Sequence, residues 1–577
     1  MLNNYLLSIL IFLPLVASLV VALLPGQFKN VFKYIALAIA SVQTVLAVVL
    51  YCAYDGSMAG VNDLNGFQFV ENVPWFDISL SSLGHISADY LLGVDGLNMS
   101  MLLLSVVVML IGTIASWNIN QKEKGYFSLL LLLNGAILGC FLSLDFLLFY
   151  LFFEFMLLPM YFLIGLWGGV RREYASIKFF LYTLLGSVFI LIVMIALNLS
   201  VIDPAATAVN AGLAESKLNV SSEVIGQVQQ ALATGQIEEQ NMVHTFNMVH
   251  MADPANYIPE SIMDYKVVKM ILGQEGRLLM FLLLFIGFAI KIPVVPLHTW
   301  LPDAHVEAPT PISVILAGVL LKIGGYGLMR TAFTIIPDGA VHYAWWMGLF
   351  GVISIIYGAL NALASKDLKK MIAYSSVSHM GFVLLGLASV TTEGISGAVY
   401  QMVSHGVISA ALFLIVGVIY ERGHDRMIEN YSGLVSKMPK YTIFAVIFFF
   451  ASLGLPGFSG FIAEIFVLLG SFNSSMINGL LPKWMTVVAA LGLVFSAAYY
   501  LWTIQRMFFG KFFTKIKLGE SVLSDLNARE YLMLVPLVIL ALFMGIFPGF
   551  LLDIINQSVA VFTDLVTQHA AELVQQK

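Results

Sequence analysis

Six ionisable residues sit where an ionisable residue is hardest to keep. Glu154 lies in LLFYLFFEFMLLPMYFLIGLWG, Lys291 in FIGFAIKIPVVPLHTW, Lys322 in ILAGVLLKIGGYGLMR and Glu464 in GLPGFSGFIAEIFVLLG. His379 (SVSHMGF) and His405 (QMVSHGVISAALF) occupy two further apolar runs. A charge at bilayer depth costs at least ~2.5–3.5 kcal/mol, so such residues mark ion pathways, relays or counter-ions. Taken singly, each has a plainer reading. A lysine near a span end can snorkel, a Glu–Lys pair can serve helix packing, and a buried histidine can satisfy a carbonyl. Two acids, two lysines and two histidines together suit proton transfer, because each can hold a proton and pass it on.

A second group, His298, Asp303, His305 and Glu307 in PLHTWLPDAHVEAPTP, has the residue types of a metal site. Its spacing matches no standard zinc pattern and prolines crowd it, which favours a tight, hydrated loop at the inner end of its span. The two cysteines, Cys52 and Cys140, both lie in apolar runs. They support neither a disulfide framework nor an iron–sulfur or metal site, so no redox centre is expected in this chain.

The elements that must position these residues follow from composition. Of 577 residues, 59% are hydrophobic and 11% charged, against roughly 25% charged in a soluble domain; the mean hydropathy is +0.90. No soluble core hides that much apolar surface, so the solvent is the bilayer. The net charge of -6 carries no nucleic-acid signature. Runs of span length occur near 5–24, 31–53, 90–116, 126–143, 145–169, 175–199, 278–300, 310–332, 343–364, 371–391, 396–420, 441–470, 484–505 and 530–552, which predicts an all-α protein of fourteen transmembrane helices. The first run lacks a basic flank and a cleavage site and reads as a retained span. No long lateral helix is expected after the last. The polar stretch 201–277, helix-prone from Ser221 to Gln240, reads as an external excursion. Residues 506–529, with Phe508, Phe509, Phe512 and Phe513 among basic residues, read as a segment lying on the inner surface.

Lys and Arg choose the orientation. Alternate connections hold Lys29, Lys33, Lys122, Lys124, Arg171, Arg172 and Lys178, then Lys366, Lys369, Lys370, Arg422, Arg426, Lys437 and Lys440, and last Arg506, Lys511, Lys515, Lys517 and Arg529. The other side has few, mostly in the excursion (Lys217, Lys266, Lys269, Arg277). Both termini are therefore expected to face the periplasm. Spans 7 and 12 are interrupted, by Pro293 and Pro296 after Lys291 and by Gly454, Pro456, Gly457 and Gly460 before Glu464. Broken helices at corresponding positions of two halves mark a transporter built from repeats. Spans 4–8 and 9–13 are two blocks of five, so the second enters facing the opposite way, as an inverted repeat. The division expected is 1–120 for the first three spans, 121–332 and 343–505 for the two repeats, and 506–577 for the remainder.

At these residues the chain resembles the antiporter-like subunits of proton-translocating NADH:quinone oxidoreductase (complex I) and of the multisubunit sodium/proton antiporters. The hallmark is KIPVVPLHTWLPDAHVEAPTPISVILAGVLLKIGGYG; FEFMLLPMYFLIGLWGG and KDLKKMIAYSSVSHMGF match too, and the likeness covers nearly all of spans 3 to 14. Within the family, glutamate at position 464 fits the M branch, where the L and N branches carry lysine. The resemblance implies that Glu154 and Lys291 form an intramembrane ion pair, Lys322 is the central relay lysine, His379 and His405 bridge the two halves, and Glu464 is the terminal exchange site. It implies neighbours like subunits L and N, with NADH, FMN, iron–sulfur clusters and quinone held in partner subunits and no cofactor here. It implies proton translocation in a bacterial inner membrane; the alternative is a subunit of a sodium/proton antiporter. The 201–277 excursion is longer than the family leads one to expect.

Overall fold

The computed structural model describes residues 5–79, 84–217, 220–265, 269–271, 273–515 and 523–576. Two spans, α1 (Leu6–Leu23) and α2 (Lys29–Cys52), precede a hairpin of β1 (Gln68–Ser79) and β2 (His85–Val94) that leads into α3 (Gly96–Ala115). Next come α4 (Glu123–Leu142), α5 (Phe146–Phe155), α6 (Leu157–Trp167) and α7 (Arg172–Asn198). The excursion holds α8 (Pro204–Asn210), α9 (Ser222–Ala233), β3 (Val243–Thr245) and α10 (Met248–Ala252). Then follow α11 (Gly276–Lys291), α12 (Trp300–Glu307), α13 (Thr310–Ile315), α14 (Leu321–Gly327) and α15 (Pro337–His342). The second half comprises α16 (Ala344–Ala364), α17 (Leu368–Ala388), α18 (Thr392–Gly423), α19 (Pro439–Ser452), α20 (Ser459–Ile477) and α21 (Lys483–Thr503), with α22 (Ala528–Ile546) and α23 (Gly549–Gln576) after it.

By length and composition, fourteen helices among the described residues can cross a membrane. Span 7 is absent from that set because it is broken into α11 and α12. Pro293 and Pro296 cannot donate to a helix ladder, and the groups they free find partners: the Trp300 indole N–H donates to the Ile290 carbonyl at 2.8 Å, and the Val295 N–H to Ser354 Oγ at 3.0 Å. Span 12 breaks between α19 and α20, where Gly454 (φ +77°) and Gly457 (φ +98°) take left-handed conformations closed to most residues. A third break was not expected. Span 5 is interrupted at Met156, two residues past Glu154, because Pro159 cannot bond back to the Phe155 carbonyl.

Two expectations need correction. The group around His305 is not a loop: 300–307 is helical and forms the second half of span 7. A long helix does follow span 14, the 28-residue α23. Asp553 and Asp564 fall within it, yet its stretch 549–568 is long and apolar enough to cross a membrane and takes the place of span 7 among those fourteen. Its apolar positions Leu551, Ile554, Ile555, Val559, Phe562 and Val566 are buried on one face. That face packs on α3, α15 and α18, and Ser558 Oγ accepts from the Gly96 N–H at 3.0 Å.

A three-stranded sheet decorates the bundle: β1 pairs antiparallel with β2, and β2 parallel with β3 of the excursion. Ser221 caps α9, by accepting from the Val224 N–H, inside the stretch expected to be helical. Lys217 locks the excursion down with ion pairs of 2.8 Å to both Asp89 and Asp203. Burial raises the Asp203 carboxyl, but His250 and Lys217 beside it prevail and hold it below the usual range. On the opposite side, α21 ends in a π-turn, 504–508, that buries Phe508, while Phe509 and Phe513 are exposed; β4 (Tyr431–Ser432) pairs there with β5 (Phe513–Thr514). The expected surface segment is thus part helix end and part strand. Its residues 516–522, Lys517 among them, and Lys266 of the excursion lie outside the described residues.

Candidate functional site

Lys291 is the last residue of α11, where a cation meets the negative end of the helix dipole. Its Nζ lies 4.5 Å from the centre of the Phe153 ring and 6.0 Å from that of Phe179, a cation–π seat. Glu154 is half-buried in α5, beside Ser187 of α7. Glu154 and Lys291 sense each other electrostatically but form no ion pair within 4.0 Å, and neither Glu154 Oε1 nor Lys291 Nζ has a hydrogen-bond partner. The structure therefore holds this pair open.

The remaining four residues form a continuous row. Lys322 is fully buried between two π-helical stretches, 316–320 and 328–333. A π register leaves carbonyls short of helical partners, and the Ala317 carbonyl accepts from Lys322 Nζ. The same Nζ stands 2.7 Å from His405 Nδ1. Two glycines allow that approach: a Cβ on Gly406 would meet the Gly318 carbonyl at 2.8 Å. The His405 and His379 rings lie 5.5 Å apart between centres. His379 Nδ1 is 3.3 Å from Glu464 Oε1, and its Nε2 is 3.2 Å from Ser452 Oγ, which also bonds the Tyr500 hydroxyl at 2.6 Å. Glu464 packs on the break itself, since a Cβ on Gly454 would fall beside its Oε2. The row runs Lys322, His405, His379, Glu464 from one broken-helix half to the other. Gly324 brings Lys291 to its start, for a Cβ there would sit 2.8 Å from Lys291 Cβ.

Two residues were missed. His305 is fully buried, stacked on Phe413 at 4.4 Å, with neither ring nitrogen hydrogen-bonded. It lies between Lys322 and Lys369, and both act on it electrostatically. Lys369, counted above among basic surface residues, is 4% exposed and donates to the Ala308 carbonyl. One signal was available: a lysine in the first turn of a helix opposes the helix dipole, which is uncommon without cause. Lys369, Glu307 and Arg426 line a cavity of about 400 Å³ that opens on the lysine-rich side. The would-be metal ligands are separately committed: Asp303 pairs with Lys178 at 2.7 Å, and Glu307 accepts from the Arg171 N–H at 2.9 Å.

A membrane-spanning bundle with helices broken beside Lys291 and Glu464, a buried row of ionisable groups between them and one open charged pair at its head is an integral membrane protein with the layout of an ion transporter. Residues 143–203 and 236–496 match the family described as NADH:quinone oxidoreductase/Mrp antiporter, TM, and the chain belongs to that family. The unmatched 204–235 is the part of the excursion that carries α8, Lys217 and α9. The chain is 37% identical to NADH-quinone oxidoreductase subunit M of Rhodobacter capsulatus over 98% of both chains. It is 36% identical to that of Rickettsia conorii over 97% of this chain and 99% of the other. In structure it is similar to a chain of respiratory complex I from Thermus thermophilus (TM-score 0.75, 27% identity, 97% of this chain and 99% of that one). It also shares its fold with a chain of the Mrp complex from Dietzia sp. (TM-score 0.73, 19% identity, 99% of both chains).

Proposed function

We propose that this chain is the subunit M of a respiratory NADH:quinone oxidoreductase and moves protons across the membrane, driven by quinone reduction elsewhere in the complex. The observation that carries this reading is the buried row from Lys322 through His405 and His379 to Glu464, in which the two histidine rings stand 5.5 Å apart between centres. The full-length likeness to subunit M sequences supports the respiratory complex over a sodium/proton antiporter, for which the likeness extends to the fold. Moving one proton against ~150–200 mV costs ~3.5–4.6 kcal/mol. That energy comes from partners that hold NADH, FMN, iron–sulfur clusters and quinone, through neighbours resembling subunits L and N. Protons enter from the lysine-rich side through the cavity beside Lys369, pass His305 to Lys322, and cross from the repeat at 121–332 to the repeat at 343–505. Closing of Glu154 on Lys291 and its reopening set the charge at the head of the row.

Purification of the tagged chain from native membranes in mild detergent tests this reading. Flavin and iron–sulfur subunits are expected with it, along with NADH:quinone activity; recovery with only other antiporter subunits would overturn the assignment.

The same reading places both termini and 201–277 in the periplasm, and 366–370 and 422–440 in the cytoplasm of a bacterial inner membrane. Single cysteines at 230 and 368, labelled with an impermeant thiol reagent in intact spheroplasts, check this. Labelling at 230 alone is expected, and labelling at 368 alone would reverse the orientation.

A further inference from the structure

Between Lys322 and the face that carries the hairpin, the next two residues on the same side of the span are Tyr326 and Arg330, each four residues on. Both are buried, and so is Asp95 above them, at 0% exposure. The Tyr326 hydroxyl donates to the Phe141 carbonyl at 2.9 Å and accepts from Arg330 Nε at 3.1 Å. Arg330 Nη2 reaches Asp95 Oδ2 at 2.6 Å, and Asp95 Oδ1 accepts the N–H groups of Leu97 and Asn98 at the start of α3. The Phe67 ring lies 5.2 Å from the guanidinium, and α23 closes over the start of α3, so tightly that a Cβ on Gly96 would collide with the Ile554 carbonyl.

We propose that Arg330, held by Asp95 and Tyr326, is the seal that stops a proton on Lys322 from crossing straight to the hairpin face and makes the relay lateral. A proton wire needs acceptors that point at the incoming proton. Here the Tyr326 oxygen already accepts from Arg330, and its own hydrogen is committed to Phe141. The guanidinium beyond it has no acceptor and does not give up its proton. The ion pair is also oriented, with its positive end toward Lys322 and its carboxylate toward the hairpin face, so an approaching proton meets a like charge with little water to screen it. Among the described residues, Lys322 keeps one titratable neighbour in hydrogen-bond range, His405, which leads sideways toward Glu464.

This inference rests on the relay reading and is tested apart from it. Proteoliposomes holding the whole complex receive an acid pulse with valinomycin and potassium present, and decay of the pH difference is followed with a trapped dye. Arg330→Met with Asp95→Asn, which leaves no unpaired buried charge, is expected to speed the decay by about tenfold or more. Adding Lys322→Met to that pair is expected to restore tight vesicles, because the leak runs through Lys322. Asp95→Asn alone keeps the guanidinium and should stay within about twofold of the wild type. Arg330→Gln, which retains donors for Tyr326 and Asp95, carries the same expectation as the double variant and replaces it should that complex not assemble. Tight vesicles from the Arg330 variants would overturn the seal. So would a leak that survives Lys322→Met, or one equally large in Asp95→Asn, since either marks a merely loosened bundle. The relay reading instead stands or falls on pumping by Glu464→Gln.

Discussion

Complexes carrying Glu154→Gln are expected to assemble, to stop pumping, and to turn over NADH and quinone at least about tenfold more slowly, because the drive is coupled to proton movement. Lys291 ends α11 with its ammonium on the Phe153 ring, and the carboxylate that acts on it electrostatically, Glu154, stands out of ion-pair contact. Closing brings the two charges together. Opening withdraws the counter-charge that makes the ammonium tolerable at depth, and its proton is passed toward Lys322. A buried ion pair that loses one partner typically costs ~3–5 kcal/mol, well above the ~1.4 kcal/mol that changes a rate tenfold. Glutamine keeps the shape of Glu154 and removes the charge, so the switch has nothing to close on. Glu154→Asp keeps the charge on a shorter arm and should retain part of the activity. NADH oxidation by an artificial acceptor should be unchanged, on the proposal that the electron path lies in partner subunits. A Gln variant that assembles and pumps as the wild type would make the pair structural.

Glu464→Gln should have an effect of similar size at the other end of the row. Its Oε1 faces His379 Nδ1 at 3.3 Å, and its Oε2 lies over Gly454, where the helix break opens the backbone. An amide there still packs against Gly454 and still faces the histidine. It cannot take up the proton that His379 delivers or release one beyond. Assembly is therefore expected to be intact while pumping falls at least about tenfold. Electron transfer should slow with it, as in the Glu154 variant. The two variants differ in one respect: a block at Glu464 leaves the pair at Glu154 free to close. A double variant should thus be no worse than Glu154→Gln alone.

The six residues proposed as the relay were legible because a charge or imidazole in an apolar run is a signal on its own. The two broken spans were legible for a like reason, as proline and glycine leave a direct trace. The order of the row was not. That His405 meets Lys322 and His379 meets Glu464 depends on helix crossings such as Gly318 on Gly406, which no local pattern encodes. His305 was hidden by its neighbours: Asp303, Glu307 and the prolines made a helix look like a loop, although Asp303 and Glu307 spend their charges on Lys178 and Arg171. Lys369 belongs by position to a basic connection, whereas the fold buries it. The tail helix α23 was less legible because Asp553, Asp564 and several polar residues dilute its apolar positions, so its stretch 549–568 is only weakly apolar beside the other spans.

The most direct test of the central claim is the proton-to-electron ratio of the purified complex in proteoliposomes, measured for the wild type, Glu154→Gln and Glu464→Gln at matched assembly. A buried relay through this chain predicts that both variants fall well below the wild-type ratio, with quinone turnover slowed in parallel. A wild-type ratio in both fully assembled variants would contradict it.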